Sequence, residues 1–521
     1  MARMPAPCLL FALLLTAGPV AAAPPDCATL DIASTRAGMA AGDFDSRQLV
    51  QACLQRIAAL DRDGPALHAI LETHPGALQE AGRRDEARRA GHRPGSLQGI
   101  PIVLKDNIDA APMANSAGSL ALADFHPRQD APLVRRLRAA GAVILAKTNL
   151  SEWANFRSTH SIGGWSARGG QTRNPYVLDH TPCGSSSGTA VAVAAGMAVA
   201  GVGTETDGSL MCPAAVNGLV AIKPTVGLVS RRGIIPISAS QDTAGPMARN
   251  VADAAALLTV MAGPDPDDPA TRVADRPAPA DYRQALDAGA LRGVRIGVLR
   301  NRLTADPAIA ARFEAALEVL RGAGAQLVDA TITTDGQWSE DETRVLRTEF
   351  KHGLDRYLQS HDAPVASLAA LIAYNDRHAE SEMPLFGQET FIAAQATAGL
   401  DDADYLSSRA RAHRLAGPEG IDRALAEAGV QALVAPATGP AWPIDPARGG
   451  RFPGAGYSAA AVSGYPSITV PMGSIGPLPV GLLFMGPAWS EARLVGLAYA
   501  YEQRRGPRPV PAFLPTLDAT P

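Results

Sequence analysis

Lysine is scarce in this chain, and one of its four lysines stands where a general base could work. Of the 47 basic residues, 43 are arginine. Arginine keeps its proton near neutral pH, whereas a buried lysine can lose it. Lys105 follows the apolar run Ile100–Leu104, which predicts a buried strand, and α/β proteins collect functional groups at strand ends. Burial would lower the pKa of its amine, so Lys105 is the candidate base.

Two serine-bearing glycine turns lie downstream of Lys105. Cys183–Gly188 has the sequence CGSSSG, and Gly203–Ser209 has the sequence GTETDGS. Glycine lets backbone approach a ligand closely, and consecutive N–H groups in such a turn can hold an oxyanion. A serine within hydrogen-bond reach of a lysine can act as a nucleophile. The turns therefore indicate a Ser–Lys hydrolase. A simpler role for Ser185–Ser187 is to cap the helix that follows.

The first turn also matches the G-x-S-x-G elbow of α/β-hydrolase esterases, with Ser186 as the nucleophile. That elbow needs a strand immediately before it, and 176–182 (YVLDHTP) is a poor strand sequence. The esterase triad also needs a later histidine; the candidates are His352, His361, His378 and His413. Neither glycine turn ends in the Gly-Lys-Ser/Thr of a phosphate-binding loop, which argues against phosphate binding.

The two turns and several shorter motifs occur in the order found in the amidase signature family, which the chain resembles over roughly residues 30–505. The shorter motifs are Gly99–Pro101, Lys147–Asn149, Ala221–Thr225, Gln241–Pro246, Gly464–Ser467 and Leu478–Gly481. Within the family, Ser151–Phe156 and Glu205–Ser209 are most similar to the bacterial peptide amidases, which remove the C-terminal amide from peptides.

The resemblance implies roles for the lysine and the serines. Ser209 would attack the amide carbonyl, and Ser185, in a cis peptide, would pass the proton of Ser209 to Lys105. The same resemblance implies structural roles for Lys147 and Lys223. The implied reaction converts a carboxamide to a carboxylic acid and ammonia through an acyl-enzyme.

The resemblance also places an oxyanion site on the backbone of the second turn. Its expected members, beside Ser209 itself, are Thr206, Asp207 and Gly208. The first turn departs from the family at Cys183, where most members have a second glycine. This departure leaves the neighbouring Ser185 unaffected.

Apolar periodicity predicts the elements that must position these residues. Helix patterns at Ser46–Leu60 and Pro132–Ala140 alternate with strand patterns such as Val143–Ala146. Together with the resemblance, this alternation predicts an α/β protein with a mixed central β-sheet covered by helices on both faces. We expect a single large domain over 24–521, with a signature core at about 95–250 and a helical excursion at about 337–420 that walls the cleft or simply caps the core.

The N-terminus has the pattern of a signal peptide. Arg3 precedes the apolar stretch Cys8–Ala17, which is too short to span a bilayer, and Ala21–Ala23 offers a cleavage site. We therefore expect residues 1–23 to be removed and the enzyme to be periplasmic or secreted. Four cysteines would remain, either as disulfides or as buried thiols.

Composition restricts the partners. The net charge is −4 and there is no basic run, so nucleic acid is not expected as a partner. No Cys/His cluster has metal-ligand spacing, so we predict neither a metal nor a cofactor. We also expect no membrane span, a monomer, and a small-molecule or short peptide amide as the substrate.

The substrate is the least constrained part of the interpretation. A broad aliphatic or aromatic amidase would have the same catalytic residues as a peptide amidase. An exported solute-binding protein would not need the lysine and serines. An ammonia-transferring component of the same family belongs to a cytosolic complex, which the signal peptide contradicts.

Overall fold

The computed structural model describes residues 24–272, 281–300, 306–450 and 454–518. The predicted signal peptide, 1–23, lies outside the described residues. The strands are β1 (Ile70–Thr73), β2 (Pro101–Lys105), β3 (Val143–Thr148), β4 (Trp165–Ser166), β5 (Gly170–Gln171), β6 (Ala200–Glu205), β7 (Val220–Lys223), β8 (Thr243–Ala248), β9 (Arg295–Leu299), β10 (Gln326–Ala330), β11 (Ala432–Pro436), β12 (Ser467–Ile475) and β13 (Leu478–Met485).

The α-helices include several short ones between strands and a consecutive group in the second half of the chain. They are α1 (Ile32–Ala41), α2 (Ser46–Ile57), α3 (Ala77–Arg89), α4 (Pro132–Ala139), α5 (Ser187–Ala194), α6 (Met211–Val216), α7 (Val251–Met261), α8 (Pro307–Gly322), α9 (Ser339–Ser360), α10 (Leu368–Arg377), α11 (Ala379–Glu382), α12 (Glu389–Gln395), α13 (Ala403–Ala416), α14 (Arg423–Ala428), α15 (Ser458–Val462) and α16 (Glu491–Glu502).

One mixed sheet organises the described chain. Its strand order is β1-β3-β2-β6-β8-β7-β12-β13-β11-β9-β10. Strand β2 is parallel to both β3 and β6, whereas β8 runs antiparallel to β6 and β7. The far edge is again parallel, with β9 between β10 and β11. Helices flank this sheet, so the predicted α/β fold with a mixed sheet in a single domain is confirmed.

Local sequence accounts for the elements that lead to the site. Helix α2 begins where predicted, because the Asp45 side chain accepts the Gln48 N–H in a capping box. It ends at Ile57 and continues as a short π-helical turn. The apolar run before Lys105 forms β2, and every residue of that strand is buried. The segment predicted as a helical excursion, 337–420, holds α9–α13.

The stretch 163–249, rich in glycine and serine, is core backbone rather than a linker. All residues of β6, α5, α6, β7 and β8 are buried. Its small residues allow close packing, most clearly at Gly188 in the first turn of α5. A Cβ added there would lie 2.4 Å from both Ala69 O and Asn149 O. Side-chain size therefore limits how near α5 can lie to the end of β3.

The structure resolves the two alternatives for the cysteines in favour of disulfides. Cys27 is bonded to Cys53, and Cys183 is bonded to Cys212. All four residues are buried. Within the described ranges, no helix is long and apolar enough to cross a membrane, and no cluster of His, Cys, Asp or Glu could hold a metal ion.

We predict that Gly188→Ala lowers the free energy of unfolding by about 1–3 kcal/mol, because the new methyl group meets backbone oxygens that cannot rotate away. Gly82→Ala is the matched control, since Gly82 also lies inside a helix but has nothing within 4 Å of the added Cβ. It should stabilise the protein by about 0.5–1 kcal/mol. Urea unfolding measures both, and two changes of the same sign would contradict the packing argument.

Candidate active site

Lys105 lies at the end of β2, between β3 and β6, and its side chain is fully buried. Its Nζ is 2.7 Å from Ser185 Oγ, 2.8 Å from Thr204 Oγ1 and 3.3 Å from Thr204 O. Asn107 Nδ2 donates to the same Thr204 hydroxyl at 2.9 Å. The amine is therefore surrounded by uncharged oxygens, and none of its described contacts is a carboxylate.

Burial sets the protonation of this amine. Desolvation lowers the pKa of Lys105 from its ordinary value of 10.5 to about 7, and the charges of Asp242 and Glu205 oppose the shift without cancelling it. A large fraction of the amine is therefore neutral near pH 7. Neutral amine has a lone pair that can accept the proton of the Ser185 hydroxyl.

The other lysines have different surroundings. Lys147 is also fully buried, but it pairs with Asp106 at 3.1 Å. Lys223 donates to Pro224 O at 3.3 Å, and burial lowers its pKa to about 8. Lys351 donates to a helix carbonyl and is only partly buried. Scarcity of lysine thus identified three buried amines, and contact with a serine hydroxyl distinguishes Lys105 among them.

The three serines of the first turn have three different partners. Ser185 follows a cis peptide bond with Gly184, as the resemblance implied, and its hydroxyl faces Lys105. Ser186 Oγ donates to Thr204 O at 3.0 Å and so holds the turn on β6. Ser187 Oγ donates to Cys183 O at 2.6 Å. Only Ser185 of the three contacts the described lysine amines.

These contacts also decide two alternatives from the sequence. The serines do not cap α5, because no side chain caps its N-terminus. Ser186 is fully buried and bonded to β6 backbone, so it is not an exposed esterase nucleophile. The later histidines lie elsewhere: His361 pairs with Asp109, for example, at 3.1 Å.

The second turn carries Ser209 beside the first. Strand β6 ends at Glu205, whose Oε2 accepts the Leu210 and Met211 N–H groups at 2.7 and 3.0 Å. Ser186 N donates to Ser209 O at 3.2 Å and joins the two turns directly. Ser185 and Ser209 line one small cavity of about 30 Å³, together with Thr204 and Thr206. The structure therefore brings Lys105, Ser185 and Ser209 together.

Gly208 allows the sharp bend before Ser209. Its φ is +79°, a left-handed conformation that favours glycine, and an added Cβ would lie 2.1 Å from the Tyr457 ring. The neighbouring Asp207 side chain is desolvated, and the carboxyl groups of Glu342 and Glu205 further raise its pKa well above its ordinary value. Asp207 is therefore largely protonated near neutral pH.

Thr206 is held by residues that the sequence did not reveal. Thr206 Oγ1 donates to Asp242 Oδ1 at 2.6 Å, and burial raises the pKa of Asp242 to about 6. Gln241 Nε2 donates to Thr206 O at 3.2 Å and to Glu342 Oε1 at 3.0 Å. Asp242 and Gln241 belong to a motif that carried the resemblance, but Glu342, from α9, has no local signal that could have identified it.

A larger cleft of about 370 Å³ lies on the other side of the turns. Gly184 and Asp207 contribute to it, next to the serines that line the small cavity. Asn155, Trp442 and Tyr457 provide an amide, an indole and a phenol to its walls. The cleft is open and large enough for a few residues of a peptide, whereas the small cavity has room only for molecules such as water or ammonia.

Known proteins with this arrangement are amidases. The sequence profile of the Amidase family matches residues 48–495. An Arabidopsis thaliana protein whose name describes it as an amidase is 38% identical over 482 residues, which cover 90% of this chain and 88% of that protein. One component of the glutamyl-tRNA(Gln) amidotransferase of Synechococcus sp. (strain CC9605) is 34% identical, with 93% and 99% covered.

Solved structures give the same result at higher identity. Native peptide amidase from Stenotrophomonas maltophilia superposes with a TM-score of 0.90 and 60% identity, covering 93% of this chain and 99% of that one. A peptide amidase bound to the competitive inhibitor chymostatin superposes equally well, with 61% identity and 92% and 99% covered. With the family profile covering most of its length and peptide amidases among its structural neighbours, this chain belongs to the amidase signature family and is a hydrolase acting on amides.

Proposed function

We propose that this hydrolase releases ammonia from C-terminal peptide amides by a Ser209–Ser185–Lys105 relay. The observation that carries the relay is the 2.7 Å contact between Lys105 Nζ and Ser185 Oγ, made by a buried amine without a carboxylate partner. A lysine in this state can accept a proton and cannot serve as half of an ion pair. Ser209, on the same cavity, is then the hydroxyl from which that proton comes.

The proposed reaction has two halves. Ser209 Oγ attacks the amide carbonyl carbon, while its proton passes to Ser185 and the proton of Ser185 passes to the neutral Lys105 amine. The tetrahedral intermediate collapses to an acyl-enzyme, and the relay returns the proton to the leaving nitrogen, which departs as ammonia. Water then attacks the ester through the same relay, which frees Ser209 and the carboxylic acid.

The negative oxygen of the intermediate would be held by backbone N–H groups of the turn Thr206–Ser209. One such donor typically contributes about 3–4 kcal/mol to stabilising the transition state. The Gly208 N–H also faces the Glu205 carboxyl group, whose pKa it helps to lower. We therefore assign Gly208 mainly to the bend, and the oxyanion to its neighbours Asp207 and Ser209.

The substrate assignment rests on the neighbours and on the cleft. The chain is 60% identical to a peptide amidase but 34% identical to the amidotransferase component. The large cleft begins at Gly184 and Asp207, so a peptide could lie in it with its terminal amide at Ser209. The small cavity beyond the serines matches a leaving group the size of ammonia.

The experiment that tests the substrate is ammonia release from C-terminally amidated dipeptides compared with simple aliphatic and aromatic amides. We expect kcat/KM to be at least about 10-fold higher for the peptide amides, since contacts along the cleft add binding energy in the transition state. The same dipeptides with a free C-terminal carboxylate serve as the control and should release no ammonia. Equal kcat/KM for both amide classes would identify a broad amidase instead.

We predict that Ser209→Ala, Ser185→Ala and Lys105→Arg each lower kcat by about 10³-fold or more while leaving the circular dichroism spectrum unchanged. Arginine keeps a positive charge but cannot accept the proton. Lys351→Arg is the matched control and should retain full activity, because Lys351 lies away from the site and is partly exposed. An active Ser209→Ala enzyme would contradict the assignment of the nucleophile.

The pKa of Lys105 predicts the acid side of the pH profile. The neutral amine is the active form, and its pKa is lowered to about 7, so kcat/KM should rise with pH up to about 7 and then level off. Below that value log(kcat/KM) should fall by about one per pH unit. Circular dichroism at each pH checks that the protein stays folded. A flat profile from about pH 5 to 8 would mean that Lys105 is not the base.

A further inference from the structure

One of the two disulfides lies directly against the catalytic turns. Cys183 precedes Ser185 by two residues, and Cys212 follows Ser209 by three. Their Cα atoms are 6.0 Å apart, and both side chains are buried. The bond therefore joins the start of the first turn to α6, the helix that begins just after the second turn. Both serines of the proposed relay lie inside the loop that this bond closes.

The segments that the bond joins are otherwise linked by single hydrogen bonds. Ser186 N donates to Ser209 O at 3.2 Å, and Cys212 N donates to Gly208 O at 2.9 Å. The first of these connects the two turns, and the second fixes α6 to the glycine before Ser209. A covalent link across the same gap restricts sliding of Ser185 relative to Ser209, which single hydrogen bonds resist only weakly.

Cys183 also occupies a backbone position that disfavours a side chain. Its φ is +56°, in the left-handed region that glycine adopts without strain. A cysteine at this position gains nothing from the backbone, and what it supplies is the sulfur that bonds to Cys212. Ser187 Oγ donates to Cys183 O, so the strained residue is held from both its carbonyl and its side chain.

The second disulfide provides an internal comparison. Cys27 and Cys53 are 26 residues apart, and Cys183 and Cys212 are 29 apart. Bonds that close loops of similar length restrict the unfolded chain to a similar degree. Cys53 lies in α2, whereas Ser185 and Ser209 lie beside α5 and α6. The two bonds thus have comparable effects on the unfolded chain and different positions relative to the catalytic serines.

From this placement we infer that the Cys183–Cys212 disulfide positions Ser185 and Ser209 for catalysis, whereas Cys27–Cys53 supports stability alone. The inference rests on the proposed function, because it concerns the same two serines. The bond takes no part in the reaction and acts through the turns that it joins. Activity should therefore depend on whether this particular pair of cysteines is oxidised.

The test compares Cys183→Gly/Cys212→Ala with Cys27→Ala/Cys53→Ala. Glycine suits the φ of Cys183, so the first variant removes the bond without adding strain. We expect its kcat on an amidated dipeptide to fall by about 10- to 100-fold, as for a misplacement of catalytic groups by about 1 Å, with KM changing much less. Cys27→Ala/Cys53→Ala should keep the kcat of the unaltered protein. Melting temperatures should fall by similar amounts in both.

A second measurement covers poor folding of the first variant. Cys27→Ala/Cys53→Ala retains a single disulfide, so reductant acts on Cys183–Cys212 alone. As the thiol content rises to two per chain, kcat should fall, and reoxidation should restore it. Reduction that leaves kcat unchanged would overturn the inference, as would a folded Cys183→Gly/Cys212→Ala enzyme with undiminished kcat.

Ser209→Ala in the same assay separates this inference from the proposed function. Amide hydrolysis that survives in Ser209→Ala would contradict the relay itself. If Ser209→Ala is inactive and both disulfide variants keep full kcat, the relay stands and only the positioning role of Cys183–Cys212 is wrong.

Discussion

The site depends on burying one lysine amine without giving it a counter-ion. An ammonium ion in that position would lose its hydration and gain no carboxylate in return, so the neutral form is favoured. The structure meets this requirement at Lys105 by surrounding Nζ with hydroxyl and carbonyl oxygens from Ser185 and Thr204. The contrast with Lys147, which is equally buried but paired with Asp106, shows that burial alone does not produce a base.

The need to keep that amine dry explains the composition of the surrounding chain. Strand β2, with Lys105 at its end, lies inside the sheet between two parallel neighbours, so water reaches the lysine only through the turns. The turns must then approach the strands closely, which requires small residues such as Gly188 and Gly208. The glycine- and serine-rich stretch that resembles a linker in composition is therefore the most tightly packed part of the site.

Much of this could be predicted from the sequence because the signals are local. The apolar run before Lys105, the two glycine turns and the amphipathic helices are each contained in a short segment. The pairing of the cysteines could not be predicted, since four cysteines allow three pairings. The separate partners of Ser185, Ser186 and Ser187 depend on how the first turn meets β6, a contact between segments that no periodicity describes. Strand β12 also exceeded its apolar run, because pairing with β13 extends it through a bulge.

The helical segment from α9 onward is more than a cover for the core, because its carboxyl groups reach the catalytic backbone. Glu342 accepts from Gln241, which also donates to the carbonyl of Thr206. One turn and more further along α9, Glu349 accepts both the N–H and the hydroxyl of Ser240 at 2.9 and 2.6 Å. A shift of α9 would therefore move the loop before β8 and, through it, the turn that carries Ser209. The segment that varies the shape of the cleft and the residues that perform the chemistry are mechanically connected, so a substitution on the inner face of α9 affects turnover as well as substrate choice.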